Sequence, residues 1–297
     1  MAKIGVVGLG AMGGGMARAC LEAGHEVTGH DLNEAALAAF RSEGGGAAPL
    51  AEVAPALDIL VLVVLNGAQA EAALFGPEGL APLIRKGAAV VCCPTVSPDF
   101  ARSLAARAEA MGLLYLDAPI SGGAGKARAG RLTILASGSE AAFAAAAPAL
   151  DAMAETVFRL GAEPGAGSAM KAVNQLLVGV HIAAAAEAIT FGMTQGVSPE
   201  QTLDVISKCA GTSWAFENRG PHIRDGDYTP LSAVDIWLKD LGIVLDIAGR
   251  AKFSAPLTAA ALQQFVAASG SGLGREDDSA VAKVYARNAG LKLPGDA

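Results

Sequence analysis

Aromatic residues make up only 5% of the 297-residue chain, and charged residues only 17%. A disordered chain would be charge-rich and apolar-poor, but here the apolar fraction is 52%, so the composition is that of a folded protein. Basic residues are in deficit: 22 Lys and Arg stand against 29 Asp and Glu, a formal net charge of −7. That balance gives a nucleic-acid partner no positive footprint, and no basic run interleaved with aromatics restores one. It equally disfavours an anionic membrane surface. Long apolar runs are absent too. The longest aliphatic run, Ile59 to Leu65, falls far short of the roughly 20 residues that span a bilayer. The N-terminus lacks the basic segment and uninterrupted apolar core of an export signal. No nucleic acid and no membrane are expected as partners, and the expected location is cytoplasmic.

Cysteine is sparse. Cys20, Cys92, Cys93 and Cys209 form no Cys-x-x-Cys pair, and the adjacent Cys92 and Cys93 would face opposite sides of a strand. They read as free thiols in a reducing compartment. The four histidines, His25, His30, His181 and His222, have no zinc-type spacing, so no metal is expected.

What the chain does have is glycine, 37 residues of it, and an alternation of short β-rich runs with helical stretches. Lys3–Val7, Glu26–His30, Asp58–Val64, Ala88–Cys92, Leu113–Leu116, Leu132–Ala136 and Thr156–Leu160 read as strands of a mostly parallel sheet with crossover helices. After Gly161 the alternation stops. A breaker cluster, Glu163-Pro164-Gly165-Ala166-Gly167, precedes a helical stretch from about Ser168 to Gln195. Such a helix is on the order of 40 Å long, enough to bridge two domains. Further helices are expected from the Ser198-Pro199-Glu200-Gln201 capping box, from Ser232-Ala233-Val234-Asp235 to about Ala251, over Pro256–Ala268 and over Asp277–Asn288. The expected fold is an α/β, Rossmann-type, doubly wound domain over residues 1–162. An all-helical substrate and dimerisation domain follows over 163–297, beginning with the long interdomain helix.

Gly8-Leu9-Gly10-Ala11-Met12-Gly13 directly follows the first strand and opens a helix. The first glycine permits a tight turn, the second lets backbone approach a pyrophosphate, and the third lets helix pack closely on strand. Free N–H groups and a partial positive charge at the helix start suit the phosphates. Asp31 ends the second strand, 23 positions after Gly8, where a carboxylate accepts hydrogen bonds from the adenosine ribose. It would repel a 2′-phosphate, and neither Leu32 nor Asn33 supplies a cation to neutralise one, so the expected cofactor is NAD rather than NADP. Ligands of open α/β sheets lie beyond the carboxyl ends of the strands, which points to Leu65-Asn66 and to Thr95.

Asp117-Ala118-Pro119-Ile120-Ser121-Gly122-Gly123 joins a strand end to a hydroxyl and two glycines, whose successive N–H groups suit a carboxylate; a plain surface turn is the alternative. On the long helix Lys171, Asn174, Gln175 and Val178 share one face. A lysine and an asparagine are costly to bury on an otherwise apolar helix, although a lysine in a first exposed turn would need no such explanation.

Gly8–Gly13, Asp117–Gly123, Gly165-x-Gly167-x-x-x-Lys171-x-x-Asn174-Gln175 and Lys239-Asp240-Leu241 occur in that order. Over almost its whole length the chain resembles the β-hydroxyacid dehydrogenases, which include 3-hydroxyisobutyrate dehydrogenase and tartronate semialdehyde reductase. The resemblance implies an NAD-dependent oxidoreductase acting on a small hydroxy acid. By it Lys171 matches the catalytic lysine, and Ser121, Gly122 and Gly123 match the loop that holds the substrate carboxylate. Asn174 matches the residue that orients the substrate. Leu65, Asn66 and Thr95 match cofactor contacts, and Lys239, beside Asp240, matches a lysine that meets cofactor or substrate. Many members carry Leu-Pro where this chain has Leu65-Asn66, which changes the loop's rigidity. A narrower likeness lies in Gly211–Arg219 and Glu276–Ala280, which look most like the branch whose substrates are four-carbon sugar acids such as L-threonate. There Asn218 and Arg219 would meet extra hydroxyls, or Arg219 would be a structural ion-pair partner. In the implied mechanism the substrate hydroxyl gives its proton to Lys171 while hydride leaves the same carbon for the nicotinamide. An imine reductase of the same architecture is disfavoured by Lys171 with Asn174, and a non-catalytic NAD sensor would have no use for the lysine and the loop together. Apolar faces such as Leu241–Ala248 suit a homodimer or homotetramer.

Overall fold

The computed structural model describes residues 1–295. Tertiary contacts divide the chain into two units, Met1–Lys171 and the remainder from Ala172 onward.

The first unit carries β1 (Lys3–Val7), α1 (Gly13–Glu22), β2 (Glu26–His30), α2 (Glu34–Ser42), a short α3 (Leu50–Val53), β3 (Ile59–Leu62) and α4 (Gly67–Phe75). It continues through β4 (Ala89–Cys92), α5 (Pro98–Ala110), β5 (Leu114–Asp117), a two-residue β6 (Ile120–Ser121), α6 (Gly123–Arg128), β7 (Leu132–Ala136), α7 (Glu140–Met153) and β8 (Ala154–Arg159). A long helix, α8 (Ala166–Thr194), begins in this unit and runs on into the second.

Five strands form one parallel sheet in the order β2-β1-β3-β4-β5. Helices cover both faces, so β3 and β4 are apolar at every position. Along β3 the side chains alternate: Ile59 and Val61 join the core that includes Met16 of α1, while Leu60 and Leu62 join that of Leu74 and Leu104. The chain leaves β1 toward β2 and crosses back to β3, so the strand order reverses between β1 and β3. In open sheets that is where a ligand crevice lies.

The later strands do not extend this sheet. β6, β7 and β8 form a second one, with β6 antiparallel to β7 and β7 parallel to β8. A reciprocal backbone bridge between Asp117 and Ser137 links the end of β5 to the end of β7.

The second unit is helical: the rest of α8, then α9 (Pro199–Ile206), α10 (Trp214–Asp225), α11 (Val234–Arg250), α12 (Pro256–Ala268) and α13 (Ala282–Asn288). The Ser198 capping box forms as expected, with Ser198 Oγ accepting from Gln201 N–H and the Gln201 side chain accepting from Ser198 N–H. α11 starts one residue later than its Ser232 signal, at an N-cap Ala233 with no side-chain cap. Its Asp235 instead accepts from the Ser269 hydroxyl, 2.6 Å away. Ile182, Ile189, Phe216, Trp237, Leu241 and Phe265 fill the core, and Trp237 stacks on Phe265 at 5.7 Å. Among the described residues α8 is long and apolar enough to cross a bilayer, yet its Ile182 and Ile189 are consumed by this core.

At the centre of the second unit Arg219 of α10 donates to Asp278 at 2.6 Å, and Trp237 Nε1 donates to the other carboxylate oxygen at 2.8 Å. Both charged side chains are buried, and neighbouring Asp277 accepts from Leu231 N–H, Ser279 N–H and the Ser279 hydroxyl. Arg219 is therefore an ion-pair partner of the fold. Burial pushes the Asp278 carboxyl up from its ordinary value, while the Arg219 charge pulls it back. Removing one member of such a pair strands the other. Arg219→Ala is expected to lower unfolding stability in urea by about 3–5 kcal/mol at neutral pH. Disrupting the exposed Arg250–Asp246 pair should cost far less. In the variant, native Asp278 binds its proton more tightly than the unfolded chain does, so the deficit should be smallest at acid pH and grow as pH rises.

Candidate active site

Gly8 directly follows β1 with φ +92°, and a Cβ there would strike the Val63 carbonyl after β3. A Cβ on Gly13 would run into the Gly8 carbonyl oxygen, so α1 starts hard against the turn. Gly10 differs: a Cβ there meets nothing within 4 Å. Its side faces open space above the turn. α2, α4, α5 and α7 have N-terminal N–H groups capped by Asn33, Asn66, Ser97 and Ser139, whereas the α1 N-terminus has no side-chain cap. Uncapped N–H groups, partial positive charge and a bare approach over Gly10 fit a dinucleotide pyrophosphate.

Asp31 is tied into this turn. One oxygen accepts from Leu9 N–H at 2.6 Å and the other from Asn33 N–H at 2.7 Å. A carboxylate has about four acceptor positions, so the two that remain can take ribose hydroxyls. Asn33, not Asp31, is the cap of α2, and Leu32 is exposed. Beyond β3, Asn66 accepts from Gln69 N–H at 2.9 Å while the Gln69 side chain accepts from Leu65 N–H at 2.8 Å. This reciprocal clasp stiffens the loop without proline. Thr95 stands half-buried beyond the carboxyl end of β4.

The Ser121-Gly122-Gly123 segment runs from β6 into α6, with φ +135° at Gly122 and +75° at Gly123, which only glycine adopts easily. Lys171 is 8% exposed, and its Nζ donates to the Ile120 carbonyl at 2.8 Å, one residue before that loop. Sequence reading gave no role to three buried neighbours. Asp117, 1% exposed, accepts from Gly165 N–H (2.9 Å), Ser168 N–H (2.8 Å), Ser168 Oγ (2.7 Å) and Ser137 Oγ (3.3 Å). Ser137 Oγ in turn accepts from Gly167 N–H at 2.9 Å. Burial pushes the Asp117 carboxyl up from its ordinary value, opposed by these donors. Together Asp117 and Ser137 take three N–H groups at the start of α8.

In the second unit Asn174 Nδ2 donates to Gln175 Oε1 at 2.9 Å, Gln175 Nε2 donates to Asp240 at 2.5 Å, and Lys239 Nζ pairs with Asp240 at 2.5 Å. Gln175 and Asp240 are buried, so Asn174 and Lys239 are held in one relay. Asn174 lies three residues beyond Lys171 on α8, on the same helical face.

Residues 3–161 match the family described as the NAD binding domain of 6-phosphogluconate dehydrogenase. Residues 165–285 match that described as NAD-binding of NADP-dependent 3-hydroxyisobutyrate dehydrogenase. L-threonate dehydrogenase of Cupriavidus necator is 51% identical over 99% of both chains. The Escherichia coli K12 protein of the same name is 46% identical over 98% of this chain and 96% of its own. The chain belongs to the 3-hydroxyisobutyrate dehydrogenase family. A solved 3-hydroxyisobutyrate dehydrogenase from Salmonella typhimurium superposes with a TM-score of 0.90 at 50% identity, covering 96% of this chain and all of that one. Membership in the 3-hydroxyisobutyrate dehydrogenase family makes the first unit an NAD-binding domain and the protein a hydroxy-acid oxidoreductase.

The glycine turn separates fold from binding. Gly13→Ala should lower the melting temperature sharply, because backbone must move. Gly10→Ala should leave melting nearly unchanged, yet weaken NAD binding by about tenfold or more, as measured by NAD fluorescence-quenching titration.

Proposed function

We propose that this protein oxidises a four-carbon sugar acid, L-threonate, to its oxo acid with NAD, using Lys171 as the proton acceptor. The observation that carries the reading is the Lys171 amine, buried and hydrogen-bonded to the backbone that leads into Ser121-Gly122-Gly123. The substrate is suggested by relatives named L-threonate dehydrogenase at 44–51% identity over nearly the whole chain.

NAD, when bound, supplies the hydride acceptor. The Gly8–Gly13 turn, through its own N–H groups and those of α1, holds the pyrophosphate, and Asp31 accepts from the ribose. Leu32, Leu65, Asn66 and Thr95 border the cofactor, with Lys239 as an anion contact. Ser121, Gly122 and Gly123 receive the substrate carboxylate, and Asn174 orients the carbinol. Neutral Lys171 takes the hydroxyl proton as the alkoxide develops; in reverse its ammonium returns it. The domain division follows the same logic, with residues 1–162 as the cofactor domain and 163–297 as the substrate and dimerisation domain. Exposed Met170, Val173, Leu177 and Phe191 on α8 suit burial against another copy, as homodimer or homotetramer. Three buried free thiols suit a cytoplasmic location.

The similarity to solved 3-hydroxyisobutyrate dehydrogenase supports a second reading with that unsubstituted acid as substrate. NADH formation at alkaline pH decides between them, across L-threonate, D-threonate, D-erythronate, 3-hydroxyisobutyrate, D-glycerate and 3-hydroxypropionate, with NADP in parallel. L-threonate with NAD is expected to be fastest. Preference for 3-hydroxyisobutyrate would replace the substrate assignment, and silence throughout would sink the enzyme reading. Only the neutral amine can accept the hydroxyl proton, and a higher pH increases the neutral share, so oxidation should accelerate as pH rises. Lys171→Ala should lower kcat by about 10²–10⁴-fold with NAD affinity nearly intact. Asp31→Ala should weaken NAD binding and narrow the preference over NADP, read from kcat/KM with each cofactor.

A further inference from the structure

We infer that Asp117 is the positioning residue for Lys171, holding the start of α8 so that the lysine amine stands at the Ile120 carbonyl. The inference rests on the proposed role of Lys171.

The segment Asp117–Ile120 grips α8 at two points. At the first, the Asp117 carboxylate accepts from Gly165 N–H, Ser168 N–H and the Ser168 hydroxyl, and Ser137, which donates to Asp117, receives Gly167 N–H. At the second, three residues further along the segment, the Ile120 carbonyl receives Lys171 Nζ. Ser168 and Lys171 are themselves three residues apart on α8, so they stand on one helical face, a turn apart. The grip is rigid on both sides. Asp117 N–H donates to the Ser137 carbonyl and Ser137 N–H donates to the Asp117 carbonyl, while Leu135 N–H donates to Pro119. On the helix side, Gly167 brings backbone against backbone: a Cβ there would strike the Leu135 carbonyl and lie 2.8 Å from that of Asp117. Neither the axial position of α8 nor its rotation can change without breaking donors to a buried carboxylate. Any such shift would swing the lysine amine away from Ile120. A misplacement of an ångström is enough to cost a reaction about 10²-fold.

This differs from simple stabilisation. Asp117→Ala removes the grip. Asp117→Asn keeps an oxygen for the two N–H groups and turns its NH2 toward Ser168 Oγ, which can accept. The neutral isostere should therefore restore position, though not charge.

The test uses three variants of the full protein, Asp117→Ala, Asp117→Asn and Ser168→Ala, below their melting temperatures. Two readouts apply: steady-state kinetics, and acetylation of the Lys171 amine without cofactor, measured by mass spectrometry against exposed Lys208 as internal standard. Asp117→Ala should lower kcat about 30-fold or more with NAD affinity held, and should raise Lys171 labelling several-fold as the amine leaves its pocket. Asp117→Asn should recover most of both. If Asp117→Ala does not fold, Ser168→Ala, which loses one hydroxyl donor, should show the same two changes in smaller measure. Wild-type kcat and wild-type Lys171 labelling in the folded variants, with only the melting temperature lowered, would overturn the inference. Lys171→Ala is the arm that separates the two claims. If it is inactive while the Asp117 and Ser168 variants keep wild-type kcat and labelling, positioning fails and the role of Lys171 stands. If it turns over like wild type, the role of Lys171 fails and the inference falls with it.

Discussion

Burying a carboxylate costs several kcal/mol unless its lone pairs are met, and at Asp117 the chain meets them with four donors from two other parts of the fold. Three of those donors come from the start of α8, where a negative charge is also favoured by the helix dipole. The fourth, Ser137, extends the contact to the end of β7 and relays it to Gly167. One side chain therefore fixes the end of the parallel sheet, the end of the second sheet and the first turn of the helix that carries Lys171. A buried polar cluster of this kind is costly when partly satisfied and strongly specifying when complete.

The cofactor side depends on absence of side chains rather than on charge. Gly8 and Gly13 leave no room for a Cβ, and they draw the α1 N-terminus down onto the switch point between β1 and β3. Asp31 then has two tasks. It accepts Leu9 and Asn33 N–H groups, which fixes the turn, and it keeps acceptor capacity for a ribose. The second unit repeats the pattern of buried acid and satisfied donors. Asp278 secures α10 through Arg219, and Asp240 links Lys239 to Asn174 through Gln175.

Much of this was legible in the sequence because periodicity and glycine spacing are local signals. The first five strands follow from short β-rich runs between turn residues, and α8 from its mostly apolar, proline-free stretch after Gly167. Three features were not legible. Helix α10 is masked by Gly220 and by Pro221 inside it, and is made viable by the Ser213 cap and the buried Arg219 anchor. The split into two sheets is a matter of which edges pair, which strand propensity does not encode. The role of Asp117 was hidden because its partners lie 20 to 51 positions away in sequence. Its traces were Asp117 at the head of the Asp117–Gly123 motif and the Gly165-x-Gly167 spacing, and the steric clash at Gly167 explains that glycine after the fact. Arg219 was open between substrate contact and ion pair, and Asp278 decides for the pair.

The central claim is that the Lys171 amine moves the hydroxyl proton. Chemical rescue tests it directly: Lys171→Ala is supplied with small primary amines of graded basicity, and NADH formation from L-threonate is followed at fixed pH. A proton-transfer role predicts that turnover returns in proportion to free amine, with more basic amines more effective per neutral molecule. A rate that stays at the variant's baseline across the whole series, while wild type turns over under the same conditions, would contradict it.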